Sequence, residues 1–197
     1  MMRPDTGDYA FYAPKKGTET FGQRGIQSYG NCPITHGEVI SKCVDGIYGG
    51  NAHIPYFTMD SVFDRCSGYD IAIYRWHKFA NHPDCEYYRT YKECVASILR
   101  VMAELRLPYD KKAIKTITRN YLLKMFFKSK AKKWHIEHEI FCIESIDIIC
   151  RAVQVDIFQS IRPQAHLAPV HCANLILRKK LVLVEDCGLH TRVIRGS

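Results

Sequence analysis

Apolar positions come in short strand-like runs as far as Trp76 and at helical spacing from Tyr88 onward. Tyr9 to Tyr12 predicts a first strand. Lys15 to Gln23 reads as a loop and Gly25 to Gly30 as a helical turn. Ile34 to Val44 predicts a strand, with Ile34, Val39, Ile40 and Val44 as its apolar positions. Asp45-Gly46 is a hairpin signal, and Ile47 to Ile54 is the partner strand. Thr58 to Phe63 reads as a short capped helix, and Asp70 to Trp76 is the clearest strand of the chain. Tyr91, Val95, Ile98, Val101, Met102 and Leu105 make Tyr88 to Leu105 an amphipathic helix, which Pro108 ends. Ala113 to Ser129 and Ile140 to Val155 predict two more helices. Ala173 to Leu177 and Leu181 to Glu185 predict closing strands, and the ends, Met1 to Asp5 and Thr191 to Ser197, are expected to be mobile. Strands, then helices, then strands define an α+β fold with a mainly antiparallel sheet. Neither a repeat nor a linker interrupts it, so residues 1–197 read as one domain.

Composition narrows the class. With 47% hydrophobic and 12% aromatic residues the chain is globular. It has no apolar run of about 18 residues, so no membrane span is expected. The first residues lack the apolar core of a signal peptide, so export by the usual route is not expected. The nine cysteines are scattered, odd in number and without a C-x-x-C pair. That pattern predicts a reducing, cytoplasmic setting with mostly buried free thiols.

The net charge is +8, and nine of the 28 Lys and Arg residues lie between Lys111 and Lys133, where there is no acid. Localised charge of this kind suits an anionic surface. Lys112, Lys115, Arg119, Lys124 and Lys128 are the candidate contacts, with Leu122, Leu123, Met125, Phe126 and Phe127 as apolar neighbours. The bland alternative is a solvated face on an ordinary helix. Aromatics are not interleaved with these charges as on a base-stacking platform, so nucleic acid is not the expected partner.

The candidate chemistry lies elsewhere. Cys142 falls at the first turn of a predicted helix, where unpaired N–H groups and the helix dipole favour a thiolate. His36 stands at the head of a predicted strand. A thiol and an imidazole are the two halves of a thiol hydrolase. His135-Ile136-Glu137 imitates a zinc deaminase signature, but the P-C-x-x-C that supplies the other ligands is missing, and His135 with His138 do not complete a metal site. No metal and no cofactor are expected.

Gly7-Asp8, Thr35-His36, Tyr74-Arg75, Leu107-Pro108-Tyr109-Asp110 and Phe141-Cys142-Ile143-Glu144 occur in that order. Together they resemble the circularly permuted branch of the NlpC-type papain-like cysteine hydrolases, over Gly7 to about Ile176. The resemblance implies a permuted papain-like fold, with a mainly antiparallel sheet or small barrel packed against helices. It makes residues 111–134 a basic helical insertion. It implies Cys142 as nucleophile, His36 as base and Asn51 as the group orienting the imidazole, with His53 and Asp45 as competitors for that third role. The resemblance also suggests Tyr109 as a second oxyanion or substrate contact. The expected activity is cleavage or transfer of an amide or ester acyl group, on a cell-wall peptide, a lipid-associated substrate or another amide. With no signal peptide, a phage or viral setting would deliver such an enzyme to its substrate. The alternative is an inactive papain-like module that docks on an anionic membrane or polymer through the basic helix.

Overall fold

The computed structural model describes residues 2–52, 56–107, 142–159 and 167–195. The basic segment with Lys112, Lys115, Arg119, Lys124 and Lys128, and also Tyr109, His53, His135 and His138, lie outside the described residues.

Six strands form one sheet: β1 Tyr9–Pro14, β2 His36–Lys42, β3 Ile47–Ala52, β4 Phe57–Ser61, β5 Tyr69–Trp76 and β6 Leu181–Cys187. Their order is β4-β3-β2-β1-β5-β6, and all neighbouring strands are antiparallel. The first strand in sequence is therefore central, and every residue in it is buried. This explains its unbroken apolar run. Successive side chains of a strand point to opposite faces. Tyr9, Phe11 and Ala13 enter the larger core, while Ala10 and Tyr12 enter a smaller one with Ile40, Val62, Ile71, Ile73 and Val184.

Helices cover the larger face. In chain order they are α1 Phe21–Gly30, α2 His77–Asn81, α3 Glu86–Glu104, α4 Cys142–Ala152, α5 Pro169–Leu177 and α6 Leu189–Arg195. Among the described residues, none is long and apolar enough to cross a membrane. Helix α3 buries Tyr88, Tyr91, Val95, Leu99 and Met102, a one-sided stripe at helical spacing. Helix α4 is buried more completely, along Cys142, Ile143, Ser145, Ile146, Asp147, Ile149 and Cys150. It packs on β2, β3 and α3.

The α+β class and the antiparallel sheet agree with the sequence reading; several elements differ from it. Thr58 to Ser61 is not a helix but most of edge strand β4, paired with β3 from Tyr48↔Ser61 to Ala52↔Phe57. The helical turn comes afterwards, as a 3-10 turn over Phe63–Ser67. Ala173 to Leu177 is not a strand but the end of α5, whose first turn contains Pro169. Proline fits there because the first helical N–H groups have no intrahelical partner. Helix α1 starts before the expected turn, because Thr20 and Gln23 cap it reciprocally. Thr191 to Arg195 is not a loose end. It lies in α6, where Arg192 donates to Asp70 and to the Pro14 carbonyl. All nine cysteines are free, but only Cys32, Cys142, Cys150 and Cys172 are buried, fewer than composition led us to expect.

A buried ion pair ties the N-terminal segment to the sheet. Arg75 Nε donates to Asp8 Oδ1 at 2.7 Å and its Nη2 to Asp8 Oδ2 at 2.9 Å. Gly7, just before it, has φ +87°, and Tyr91 packs where its Cβ would stand. The Gly7-Asp8 and Tyr74-Arg75 motifs thus meet as one structural unit.

Candidate active site

Strand β2 carries the base end of the site. It pairs with β1 through Tyr12↔His36, whereas its register with β3 runs from Val39↔Gly50 to Lys42↔Ile47. His36 therefore stands at the start of the strand, ahead of the β3 ladder. Two residues on, Glu38 projects from the same face. Its carboxylate is fully buried. Glu38 Oε2 lies 3.8 Å from His36 Nε2, an ion-pair distance rather than a hydrogen bond. His36 Nε2 is buried and has no hydrogen-bond partner among the described residues.

The carboxylate is held from three other sides. The Tyr12 hydroxyl donates to Glu38 Oε1. Arg65 Nη1 donates to Oε2 at 3.1 Å from the 3-10 turn. The backbone of Gly49 lies beneath it, so close that a Cβ there would overlap the carboxylate. Arg65 also donates through Nη2 to Asp60 Oδ2 at 3.1 Å, and its guanidinium lies over the Tyr12 ring. Burial and the neighbouring Glu38 raise the Tyr12 pKa, so its hydroxyl remains a donor.

Helix α4 brings the thiol. Cys142 is the first described residue of this helix. Ser145 Oγ donates to the Cys142 carbonyl at 2.7 Å. Close approach to β2 depends on Gly37: a Cβ there would lie 2.8 Å from Ile143 Cδ1 and 2.8 Å from Phe11 Cδ1. The bulky Ile143 after the cysteine thus fills the space that Gly37 leaves. The resulting position makes Cys142 an electrostatic partner of His36. Burial alone would lower the histidine pKa, but Cys142 and Glu38 outweigh burial and push it up to about 10. Burial pushes Cys32 up to about 11 and Cys150 up to about 12, and raises Cys172 well above its usual range.

Of the three expected catalytic residues, the structure brings Cys142 and His36 together. Asn51 belongs to the outer part of the same polar cluster. Its Nδ2 donates to Asp60 Oδ2 at 3.1 Å, and its Oδ1 is buried without a partner among the described residues. The acid beside the imidazole is Glu38, which the sequence reading missed. The signal was present, since residues i and i+2 of a strand share a face. Cys142 itself is only 1% exposed. A cavity of about 530 Å³ beside Trp76, Phe79 and Tyr87 and one of about 490 Å³ beside Lys16, Gln27 and Arg192 include neither Cys142 nor His36. Among the described residues, no group of three or more His, Cys, Asp or Glu side chains could hold a metal ion.

No protein-family model matches the chain, and a search of curated proteins returns no match.

Proposed function

We propose that this protein is a cysteine hydrolase of the permuted papain-like kind, acting on an amide or ester acyl bond through Cys142, His36 and Glu38. The observation that carries this reading is His36, with the buried Glu38 carboxylate 3.8 Å from its Nε2 and the Cys142 thiol as its other side-chain partner. In this assignment Nε2 faces Glu38, leaving Nδ1 for the thiol. Glu38 takes the orienting role first given to Asn51, and Asn51 supports the cluster through Asp60.

The reaction follows thiol-hydrolase logic. Cys142 Sγ passes its proton to His36 and attacks the acyl carbon. The backbone N–H of Cys142 donates to the developing oxyanion. The bond to the leaving amine or alcohol breaks, and His36 protonates that group. Water, deprotonated by His36, then cleaves the thioester and restores the thiol. A cell-wall peptide or a lipid-associated acyl group remains the expected substrate class, with the segment at 111–134 as the contact to an anionic surface.

One observation favours a second reading, an inactive papain-like module: the sulfur is almost wholly buried. Iodoacetamide labelling followed by peptide mapping separates the two. The hydrolase reading expects Cys142 to label near neutral pH faster than Cys32, Cys150 and Cys172, and expects His36→Ala to slow it at least about tenfold. Labelling of Cys142 no faster than that of the other buried thiols would leave the binding module.

A further inference from the structure

A second sulfur chemistry lies at the opposite face of the sheet, away from Cys142. Cys66 sits in the 3-10 turn Phe63–Ser67 and packs against the smaller core, to which Ile71 of β5 and Val184 of β6 belong. Strand β6 reaches the same place. Its antiparallel register with β5 includes Ile73↔Glu185 and ends at Ala72↔Asp186, after which Ile71 meets Gly188 in an isolated parallel bridge. Cys187 is the last residue of β6, and its side chain lies within hydrogen-bonding reach of the Cys66 thiol.

The surroundings suit paired thiols. Both are free, Cys66 half-buried and Cys187 exposed, so a small disulfide reaches them from solvent. The exposed Cys43 and Cys94 lie elsewhere, beyond the end of β2 and on α3. Burial raises the Cys187 thiol, and the Cys66 thiol beside it raises it further, as expected of two groups that resist carrying charge together.

We propose that Cys66 and Cys187 are a surface dithiol that oxidises to an intramolecular disulfide. With glutathione disulfide as oxidant, one protein thiol attacks it and releases one glutathione thiol. The second protein thiol attacks the mixed disulfide, forms the Cys66–Cys187 bond and releases the second. Two protein thiols lose two electrons and two protons, and two glutathione thiols gain them. The bond would fasten the turn that holds Arg65 on Glu38 and Asp60 to the last strand of the sheet.

The test equilibrates the reduced full-length protein with glutathione disulfide, quenches with acid, alkylates, and maps peptides without reduction. A cross-linked peptide containing Cys66 and Cys187 should be the main oxidised species. Cys187→Ser should leave Cys66 as a glutathione adduct. The proposal falls if Cys66 and Cys187 of the wild-type protein remain alkylated to the same extent as Cys43 and Cys94. It also falls if they persist as separate glutathione adducts. The wild-type map decides between these outcomes even where a serine variant misfolds.

Discussion

Glu38 Oε2 lies 3.8 Å from His36 Nε2, on one face of one strand, with the carboxylate fully buried. Glu38→Gln keeps an acceptor for Tyr12 and Arg65 but removes the charge that supports a protonated imidazole. The substitution should slow iodoacetamide labelling of Cys142 near neutral pH by roughly ten- to a hundredfold. Asn51→Ala, which breaks only the bond to Asp60, should slow it much less. Stopped labelling time courses read by mass spectrometry compare the two. Equal effects would return the orienting role to Asn51.

His36 also makes stability depend on pH. Its pKa in the folded protein, about 10, is above the 6.5 of an unperturbed imidazole, so the folded state holds the proton more tightly. The stabilisation is complete below pH 6.5 and is lost as pH rises towards 10. Urea unfolding across that window should show a wild-type decline steeper than that of His36→Gln. Parallel curves would show that His36 is not the titrating group.

Gly49 offers a purely steric test. A methyl group there would enter the space of the Glu38 carboxylate, which Tyr12 and Arg65 already fix. Gly49→Ala should cost about 1–3 kcal/mol in urea unfolding and also slow Cys142 labelling. Gly68→Ala is the control, because nothing lies within 4 Å of a Cβ at Gly68.

The Asp8–Arg75 pair should govern stability without entering the chemistry. Asp8→Asn leaves the Arg75 guanidinium buried without its counter-charge, at a cost of about 3–5 kcal/mol. At a temperature where the variant is still folded, its Cys142 labelling rate should match wild type. Thermal unfolding followed by circular dichroism measures the first effect and peptide mapping the second.

Elements with a single period were legible in the sequence. Strand β1, the β2–β3 hairpin around Asp45-Gly46, strand β5 and helix α3 all fell where their apolar positions put them. The misread elements gave signals shared by two structures. Thr58, Asp60 and Ser61 imitate a helix cap, but Asp60 uses its carboxylate to bind Asn51, Thr58 and Arg65 across the sheet edge. The short apolar run before Arg178 suits a buried strand or a buried helix equally well, and only Pro169 indicated the helix. At the site, Cys142 and His36 were legible from helix start and strand head. Glu38 was not legible as the partner of His36, because the family resemblance points to the following strand rather than to a position two residues from the histidine.

His36, Glu38, Tyr12, Arg65 and Asp60 all precede the end of β5, while Cys142 comes from a helix made much later. The ribosome releases the chain from its N-terminus. A nascent chain halted after β5 would already contain these polar partners yet lack Cys142. In the hydrolase we propose, the order of translation would withhold the nucleophile until a late segment emerges, whereas a cysteine-first order of the same groups would release it early.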